Sequence, residues 1–244
     1  MTIPANSNQN YKSPQISQFY KQNRCSWAEL YNSERSVFSG FKSLKGATIL
    51  DLGCGCGGLG RALSEKFEGF SYTGIEINQQ AVDTAKSIFP PGTFVCSDIL
   101  DLDDRYSEAF SLVISLSCID WNVEVLPMLT KAWSFVSPGG SLLLSVRMTE
   151  QSPSLMDINQ SYQYINFSGS CQGEIAQYTV FNKDELIQLL SNLDSCSVIE
   201  GNGYPGAPSK TAVTPFEMII FAVLVVKKAI QPTIGSPNVD IDIS

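Results

Sequence analysis

Short apolar runs alternate with longer amphipathic stretches along most of the chain. The apolar runs predict strands at about 47–52, 70–75, 93–96, 110–116, 140–147, 195–200 and 216–226. The amphipathic stretches predict helices at about 25–40, 58–67, 78–88, 122–136 and 183–192, with Asn182 as the N-cap of the last one. This alternation is typical of an α/β fold in which helices cover both faces of a doubly wound, mostly parallel sheet.

Four segments fall outside this rhythm. Residues 1–14 and 229–244 carry few apolar side chains, so we expect little fixed structure there within one domain of residues 1–244. Residues 201–215, rich in Gly, Pro and Ser, predict the turn between the last two strands. The segment 148–181 is too long for a simple loop and predicts either a lid-like substrate-recognition insertion or an extra helix or hairpin. Its candidate substrate contacts are Tyr162, Tyr164 and Tyr178.

Composition narrows the possible partners. Sixteen basic against 24 acidic residues give a net charge of -8, which disfavours nucleic acid because such binding needs a basic face. The chain has no histidine, which excludes Ser-His-Asp triads, Cys-His pairs and His-ligated zinc.

Cysteine usage and hydropathy bear on the compartment. Seven cysteines form an odd set, several within apolar runs, as expected of reduced thiols in the cytoplasm. The start resembles no signal peptide, and the longest apolar run, Met218 to Val226, has about half the length that a membrane-spanning helix needs. We therefore predict a cytoplasmic protein that does not bind membranes.

A glycine-rich turn between a predicted strand and helix is the most informative motif. Glycines 53, 55 and 57 permit unusual backbone torsions and close approach of a ligand, beside a helix N-terminus that favours polar or anionic groups. Residues 55–60 also match the G-x-G-x-x-G dinucleotide fingerprint, with Glu76 downstream, which leaves a nicotinamide enzyme open. Cys54 and Cys56 have no accompanying Cys/His cluster, so we predict no metal.

Asp51, two residues before the first glycine, changes this interpretation. The motif Asp-Leu-Gly-Cys-Gly-Cys-Gly resembles the first motif of the class I S-adenosylmethionine-dependent methyltransferases, and the resemblance continues over about residues 45–147. It implies a Rossmann-like sheet of seven strands whose last strand is antiparallel, with S-adenosylmethionine as cofactor. It assigns the loop residues Asp51, Gly53, Cys54 and Gly55 to cofactor binding.

The resemblance also assigns later positions of the chain. Glu76 would bind the ribose hydroxyls and Ile77 would pack on the adenine. Asp98 and the backbone of Ile99 would face the adenine edge. The end of the fourth strand, with Ser115 and Ser117, would contact the methionine part.

The segment before the first strand resembles the N-terminal helical segment that folds over the cofactor in many of these enzymes. Tyr20, Arg24 and Trp27 would then close the pocket, with the arginine placed for the methionine carboxylate. Alternatively, the same aromatic residues form only the apolar face of a docking helix.

Two charged residues are candidates for catalysis or for substrate binding. Asp120 follows the fourth strand and is either a catalytic base or the N-cap of the next helix. Arg147 ends the fifth strand and either binds an acidic group of the substrate or faces solvent.

The resemblance implies a methyltransferase acting on an oxygen or nitrogen of a small molecule or short peptide. The alternatives are a non-catalytic cofactor-binding or partner-subunit protein and an RNA methyltransferase.

Overall fold

The computed structural model describes residues 23–165, 169–232 and 235–244. Five α-helices lie in these ranges: α1 Asn32–Ser39, α2 Gly58–Ser64, α3 Gln79–Ile88, α4 Val125–Ser134 and α5 Lys183–Ser191. Twelve strands accompany them: β1 Thr48–Leu52, β2 Ser71–Glu76, β3 Thr93–Cys96, β4 Phe110–Ser115, β5 Val136–Thr149, β6 Tyr162–Ile165, β7 Glu174–Gln177, β8 Phe181–Asn182, β9 Cys196–Gly206, β10 Ala212–Val213, β11 Ile219–Lys228 and β12 Asn238–Ile243. Single 3-10 turns occur at Trp27–Glu29, Ile99–Asp101, Asp104–Tyr106 and Ile119–Trp121.

The main sheet has the order β12-β9-β11-β5-β4-β1-β2-β3, and β8 adds to the end of β5. Strands β1 to β5 run parallel, whereas β11 is antiparallel to both of its neighbours. The predicted doubly wound sheet with an antiparallel late strand is confirmed. The main sheet has two strands more than the predicted seven, β8 and β12.

Alternation along the central strands separates two hydrophobic cores, one on each face of the sheet. In β1, Leu50 and Leu52 belong to one core and Ile49 to the other. In β5, Leu142 and Leu144 face the first core while Leu143 faces the second. Both faces are therefore buried, and the polar chemistry of the sheet is confined to the strand ends.

The C-terminal segment differs from its prediction. Residues 238–243 form β12, which pairs in parallel with β9 from Val198 to Gly203. The prediction of a tail without fixed structure does not hold there, because Ile241 and Ile243 alternate with polar residues and pack against the core. The predicted flexible segment 1–14 lies outside the described residues.

The predicted helix at 25–40 is divided in two. Glu29 Oε2 accepts the backbone N–H of Ser26 at 3.0 Å, and Glu34 Oε2 accepts that of Tyr31 at 2.9 Å. Glu29 thus caps the start of the 3-10 turn and Glu34 caps the start of α1, each as in a capping box. The chain turns at Leu30 between them.

The insertion 148–181 contains no helix in its described part, residues 148–165 and 169–181. Strands β6 and β7 form an antiparallel hairpin, and β10 joins it to make a separate three-stranded sheet. The described part of the insertion thus forms a hairpin and not a helix, and its role in substrate recognition stays a prediction. Residues 201–206 extend β9, so the predicted turn at 201–215 is shorter than expected.

The predicted cap of α5 is confirmed, since Asn182 accepts the N–H groups of Asp184 and Glu185. No helix in the described parts of the chain is long and apolar enough to cross a bilayer.

Candidate functional site

A cavity of about 500 Å³ opens at the carboxyl ends of the central strands. It extends from the glycine turn after β1, past Glu76, to Asp120 and Arg147. A smaller cavity of about 70 Å³ adjoins it and shares Gly53, Glu76, Ser117 and Trp121 in its wall. This position, outside the carboxyl edge of a parallel sheet, is where doubly wound folds bind ligands.

The glycine turn is held in place by its own backbone. The N–H groups of Gly53 and Cys54 donate to the carbonyl of Ile75 on β2 at 2.8 and 3.0 Å. Gly53 has a φ of 71°, and a Cβ built there would lie 2.4 Å from Cys118 Sγ, so only glycine fits. At Gly55, by contrast, an added Cβ meets nothing within 4 Å, which leaves the backbone open to a ligand from the cavity.

Asp51 lies beneath this turn and lines the larger cavity. Its carboxyl accepts a hydrogen bond from the Tyr72 hydroxyl. Burial raises the pKa of Asp51 to about 7, while the hydrogen bond from Tyr72 opposes the rise. Cys54, also in the cavity wall, has its thiol pKa raised well above the usual value by burial, so it is a thiol at neutral pH.

Glu76 ends β2 between the two cavities. One carboxylate oxygen accepts the N–H of Gly55 at 3.0 Å and the other accepts that of Asn78 at 2.9 Å. Burial raises the pKa of Glu76, and hydrogen bonds from the backbone N–H groups of Asn78, Gly55 and Ile77 oppose the rise. The glycine turn and the acidic strand end are thus joined directly by a hydrogen bond.

The smaller cavity brings together the residues predicted to surround an adenine. Ile77, Asp98 and Ile99 all line it, and Trp121 closes its side. The Asp98 carboxylate also accepts the N–H of Leu100 at 2.9 Å, which begins the 3-10 turn at Ile99. An apolar slot with a carboxylate at its edge suits a flat heterocycle that bears an amino group.

The two serines near the end of β4 have different surroundings. Ser117, with a φ of 53°, lines both cavities and donates its N–H to Ser145 Oγ at 2.6 Å. Ser115 is buried, lines neither cavity and accepts the N–H of Ile119 at 3.2 Å. The structure therefore does not place Ser115 in the cavity wall with Ser117; its hydroxyl supports the turn that carries Asp120.

Of the two predicted residues of the N-terminal segment that the structure describes, Arg24 and Trp27, one lines a cavity. Arg24 lines the larger cavity, where it pairs with the buried Glu34 at 2.7 Å. Trp27 lines neither cavity, because its ring packs against Phe67 with the centroids 6.1 Å apart. This packing favours the docking interpretation for Trp27. Tyr20 lies outside the described residues.

A buried ion pair forms the far wall of the larger cavity. Arg147 Nη2 lies 2.8 Å from Asp120 Oδ2, and only 4% and 5% of these two side chains are exposed. The same nitrogen donates to the Asp120 carbonyl at 2.7 Å. Burial raises the pKa of Asp120, although the charge of Arg147 opposes this.

The alternatives left open by the sequence, a helix N-cap for Asp120 and a solvent-facing side chain for Arg147, do not hold. Asp120 is not a helix cap, since α4 begins at Val125 with Glu124 as its N-cap. Arg147 does not face solvent; its guanidinium lies 3.8 Å from the ring centroid of Tyr178 and 5.0 Å from that of Trp121.

Strand alternation decides which residues of the insertion reach the cavity. Tyr178 lines it as predicted, but Tyr162 and Tyr164 do not, because they share the opposite face of β6. Gln163, between them, lines the cavity and was not predicted. The two tyrosines instead pack on one another with ring centroids 5.5 Å apart. The signal that could have found Gln163 is the period of two once β6 is recognised as a strand.

Residues 49–140 match the family model of a methyltransferase domain. Trans-aconitate 2-methyltransferase of Paracidovorax citrulli is 27% identical over 106 residues, 43% of this chain and 41% of that protein. Malonyl-(acyl-carrier protein) O-methyltransferase of Priestia megaterium is 26% identical over 148 residues, 58% of this chain and 51% of that protein. The matches also include a ribosomal RNA methyltransferase.

A crystal structure of a S-adenosylmethionine-dependent methyltransferase from Methanosarcina mazei has the same fold, with a TM-score of 0.58 at 18% identity. The similarity covers 83% of this chain and 99% of that one. The alignments span only about half or less of the two curated relatives. Residues 49–140 are thus a methyltransferase domain, and the chain has the fold of the class I S-adenosylmethionine-dependent methyltransferases, which use S-adenosylmethionine as their cofactor.

Proposed function

We propose that this protein transfers the methyl group of S-adenosylmethionine to an oxygen or nitrogen of a small molecule or short peptide. The observation that carries the proposal is the larger cavity, whose wall includes both the glycine turn with Glu76 and the buried Asp120–Arg147 pair. A cofactor held at one end and an acceptor at the other would meet inside one cavity, which favours in-line transfer.

The donor set fits the cofactor. Glu76 at the strand end would accept hydrogen bonds from ribose hydroxyls, and the smaller cavity with Ile77, Asp98 and Ile99 would take the adenine. The rest of the cofactor would be bound by Arg24, Ser117 and the open backbone at Gly55. When bound, the cofactor supplies an electrophilic methyl group on a sulfonium.

Asp120 is the proposed proton acceptor. An acceptor hydroxyl or protonated amine must lose a proton, and the chain has no imidazole to take it. Asp120 Oδ1 has no hydrogen-bond partner, while Oδ2 is held by Arg147, so the carboxylate is oriented with one oxygen available. A pKa raised by burial makes this carboxylate a stronger base than an exposed aspartate.

The enclosed volume and the carboxylates in its wall support a small acceptor over RNA. Glu76 and Asp120 both line the larger cavity, where their carboxylates would repel the phosphodiester backbone of RNA. We propose no nucleic-acid partner.

The proposal is tested first by calorimetric titration with S-adenosylhomocysteine. We expect binding by the wild type, a loss of at least about tenfold in Glu76→Ala, and no loss in Glu68→Ala, which removes an exposed carboxylate outside both cavities. Release of S-adenosylhomocysteine in the presence of candidate acceptors then tests turnover. A folded wild-type protein that binds no S-adenosylhomocysteine would overturn the proposal.

A further inference from the structure

Buried polar atoms without partners are concentrated at one place in the molecule. Among the described residues, four buried side-chain nitrogen or oxygen atoms have no hydrogen-bond partner: Asp120 Oδ1, Arg147 Nε, Arg147 Nη1 and Gln163 Oε1. The three residues that carry them all line the larger cavity. Because buried groups of this kind are costly to leave unpaired, their convergence indicates a ligand that pairs with them.

Arg147 supplies the strongest of these groups. A guanidinium has five N–H donors, and the structure uses Nη2 alone, toward the carbonyl and Oδ2 of Asp120. The donors on Nε and Nη1 remain, on a side chain that is only 4% exposed. Contacts with the rings of Trp121 and Tyr178 fix the orientation of the guanidinium plane before any ligand arrives.

Asp120 and Gln163 add acceptors beside these donors. The Gln163 amide nitrogen donates to Ser209 Oγ at 3.0 Å and to Thr211 Oγ1 at 3.1 Å, which anchors the side chain and leaves Oε1 to the cavity. In Asp120, Oδ2 is occupied by the ion pair with Arg147, and Oδ1 has no hydrogen-bond partner. The wall therefore presents a cationic donor group and two acceptor oxygens.

We propose that the methyl acceptor is a small carboxylic acid that also bears a hydroxyl or N–H group. Arg147 binds its carboxylate, and Asp120 Oδ1 and Gln163 Oε1 accept hydrogen bonds from its donor group. This inference rests on the proposed function, since it names the acceptor of that reaction.

Charge selects a carboxylate over a phosphate. A guanidinium recognises both anions, but Asp120 lies beside Arg147 and Glu76 lines the same cavity, and a dianion would be repelled more strongly than a monoanion. The second arginine of the wall, Arg24, is paired with Glu34.

The experiment compares acids with their uncharged amides on the wild-type protein saturated with S-adenosylhomocysteine. The probes are salicylate and salicylamide, 4-hydroxybenzoate and 4-hydroxybenzamide, and lactate and lactamide, with binding followed by calorimetry. We expect at least one acid to bind at least about tenfold more tightly than its amide, since a buried guanidinium–carboxylate contact is charge-assisted.

Two variants test the assignment of residues. Gln163→Glu adds a further carboxylate to the wall and should weaken binding of that acid by at least about tenfold, whereas the same change at the exposed Gln188 of α5 should leave it unchanged. Arg147→Lys keeps the charge but loses the planar donor group, and should also weaken acid binding. Binding of S-adenosylhomocysteine should stay within about threefold of the wild type in Gln163→Glu.

The outcomes separate this inference from the proposed function. If the wild type binds no S-adenosylhomocysteine, the proposed function itself fails. If it binds S-adenosylhomocysteine but no acid of the panel binds better than its amide, the inference is overturned and the unpaired atoms are hydrated by ordered water. Equal weakening by the changes at Gln163 and Gln188 would likewise overturn it.

Discussion

The phenolic hydroxyl of Tyr72 on β2 donates a hydrogen bond to the carboxyl of Asp51 on β1, directly beneath the glycine turn. Both side chains are buried, so the bond satisfies two polar groups in an apolar surrounding. Tyr72 also packs edge-on against Phe89, with ring centroids 5.6 Å apart. The motif residue that distinguishes this family is therefore held from below by the neighbouring strand.

Because burial raises the pKa of Asp51 to about 7, stability should depend on pH. The unfolded chain releases this proton near pH 3.9, the ordinary value for aspartate. Between these two values the folded protein holds a proton that the unfolded chain has lost. The free energy of unfolding should therefore fall as pH rises through this window, by up to about 1.4 kcal/mol per unit, and level off above it.

Urea unfolding of the wild type and Asp51→Asn at about pH 5, 6 and 7 measures this contribution. Asparagine still accepts the bond from Tyr72 but does not titrate, so the variant should lose less stability across the window. Glu76, whose pKa is also raised, keeps a residual slope in both proteins. Parallel slopes in the two proteins would show that Asp51 does not titrate in this range.

Two glycines of the turn should respond differently to alanine. Gly55→Ala imposes a left-handed backbone, with a φ of 53°, in open space, and should cost about 1–2 kcal/mol. Gly53→Ala adds a clash, because its Cβ would lie 2.4 Å from the sulfur and 2.8 Å from the Cβ of Cys118. It should cost about 1–3 kcal/mol more than Gly55→Ala. Equal unfolding midpoints for the two variants in urea would contradict this packing argument.

The Asp120–Arg147 pair should show strong energetic coupling. Arg147→Met leaves the Asp120 carboxylate buried without its counter-charge, which should destabilise the protein by about 3–5 kcal/mol. Adding Asp120→Asn removes that charge, so the double variant should be more stable than the sum of the single losses predicts. A double-mutant cycle by urea unfolding gives the coupling energy, and simple additivity would mean that solvent reaches the pair.

These residues show where sequence reasoning succeeds and where it stops. Asp51 and Glu76 were predictable because strand ends and glycine turns leave a local pattern. Asp120 was ambiguous because an aspartate before a helix has the pattern of a cap; its actual partner, Arg147, lies 27 residues away. Gln163 was missed because the face of a strand cannot be assigned until the strand itself is recognised.

The C-terminal strand β12 was not predicted because its sequence pattern is weak. Strand β12 alternates between exposed residues and the two isoleucines that pack against the core, Ile241 and Ile243. A short, largely polar strand of this kind gives little sequence signal, yet it covers the edge of β9 along six paired positions. Its contribution to stability should therefore come from the two isoleucines and the edge pairing.

We expect Ile241→Ala and Ile243→Ala each to cost about 1–2 kcal/mol, less than a fully buried truncation because both positions are only partly buried. Val239→Ala, at a side chain that is 41% exposed, is the matched control and should cost less than about 0.5 kcal/mol. Amide hydrogen exchange at β9 residues paired with β12, such as Gly201 and Gly203, should accelerate in the isoleucine variants and not in the control. If all three variants match the wild type in stability and exchange, β12 does not stabilise the sheet.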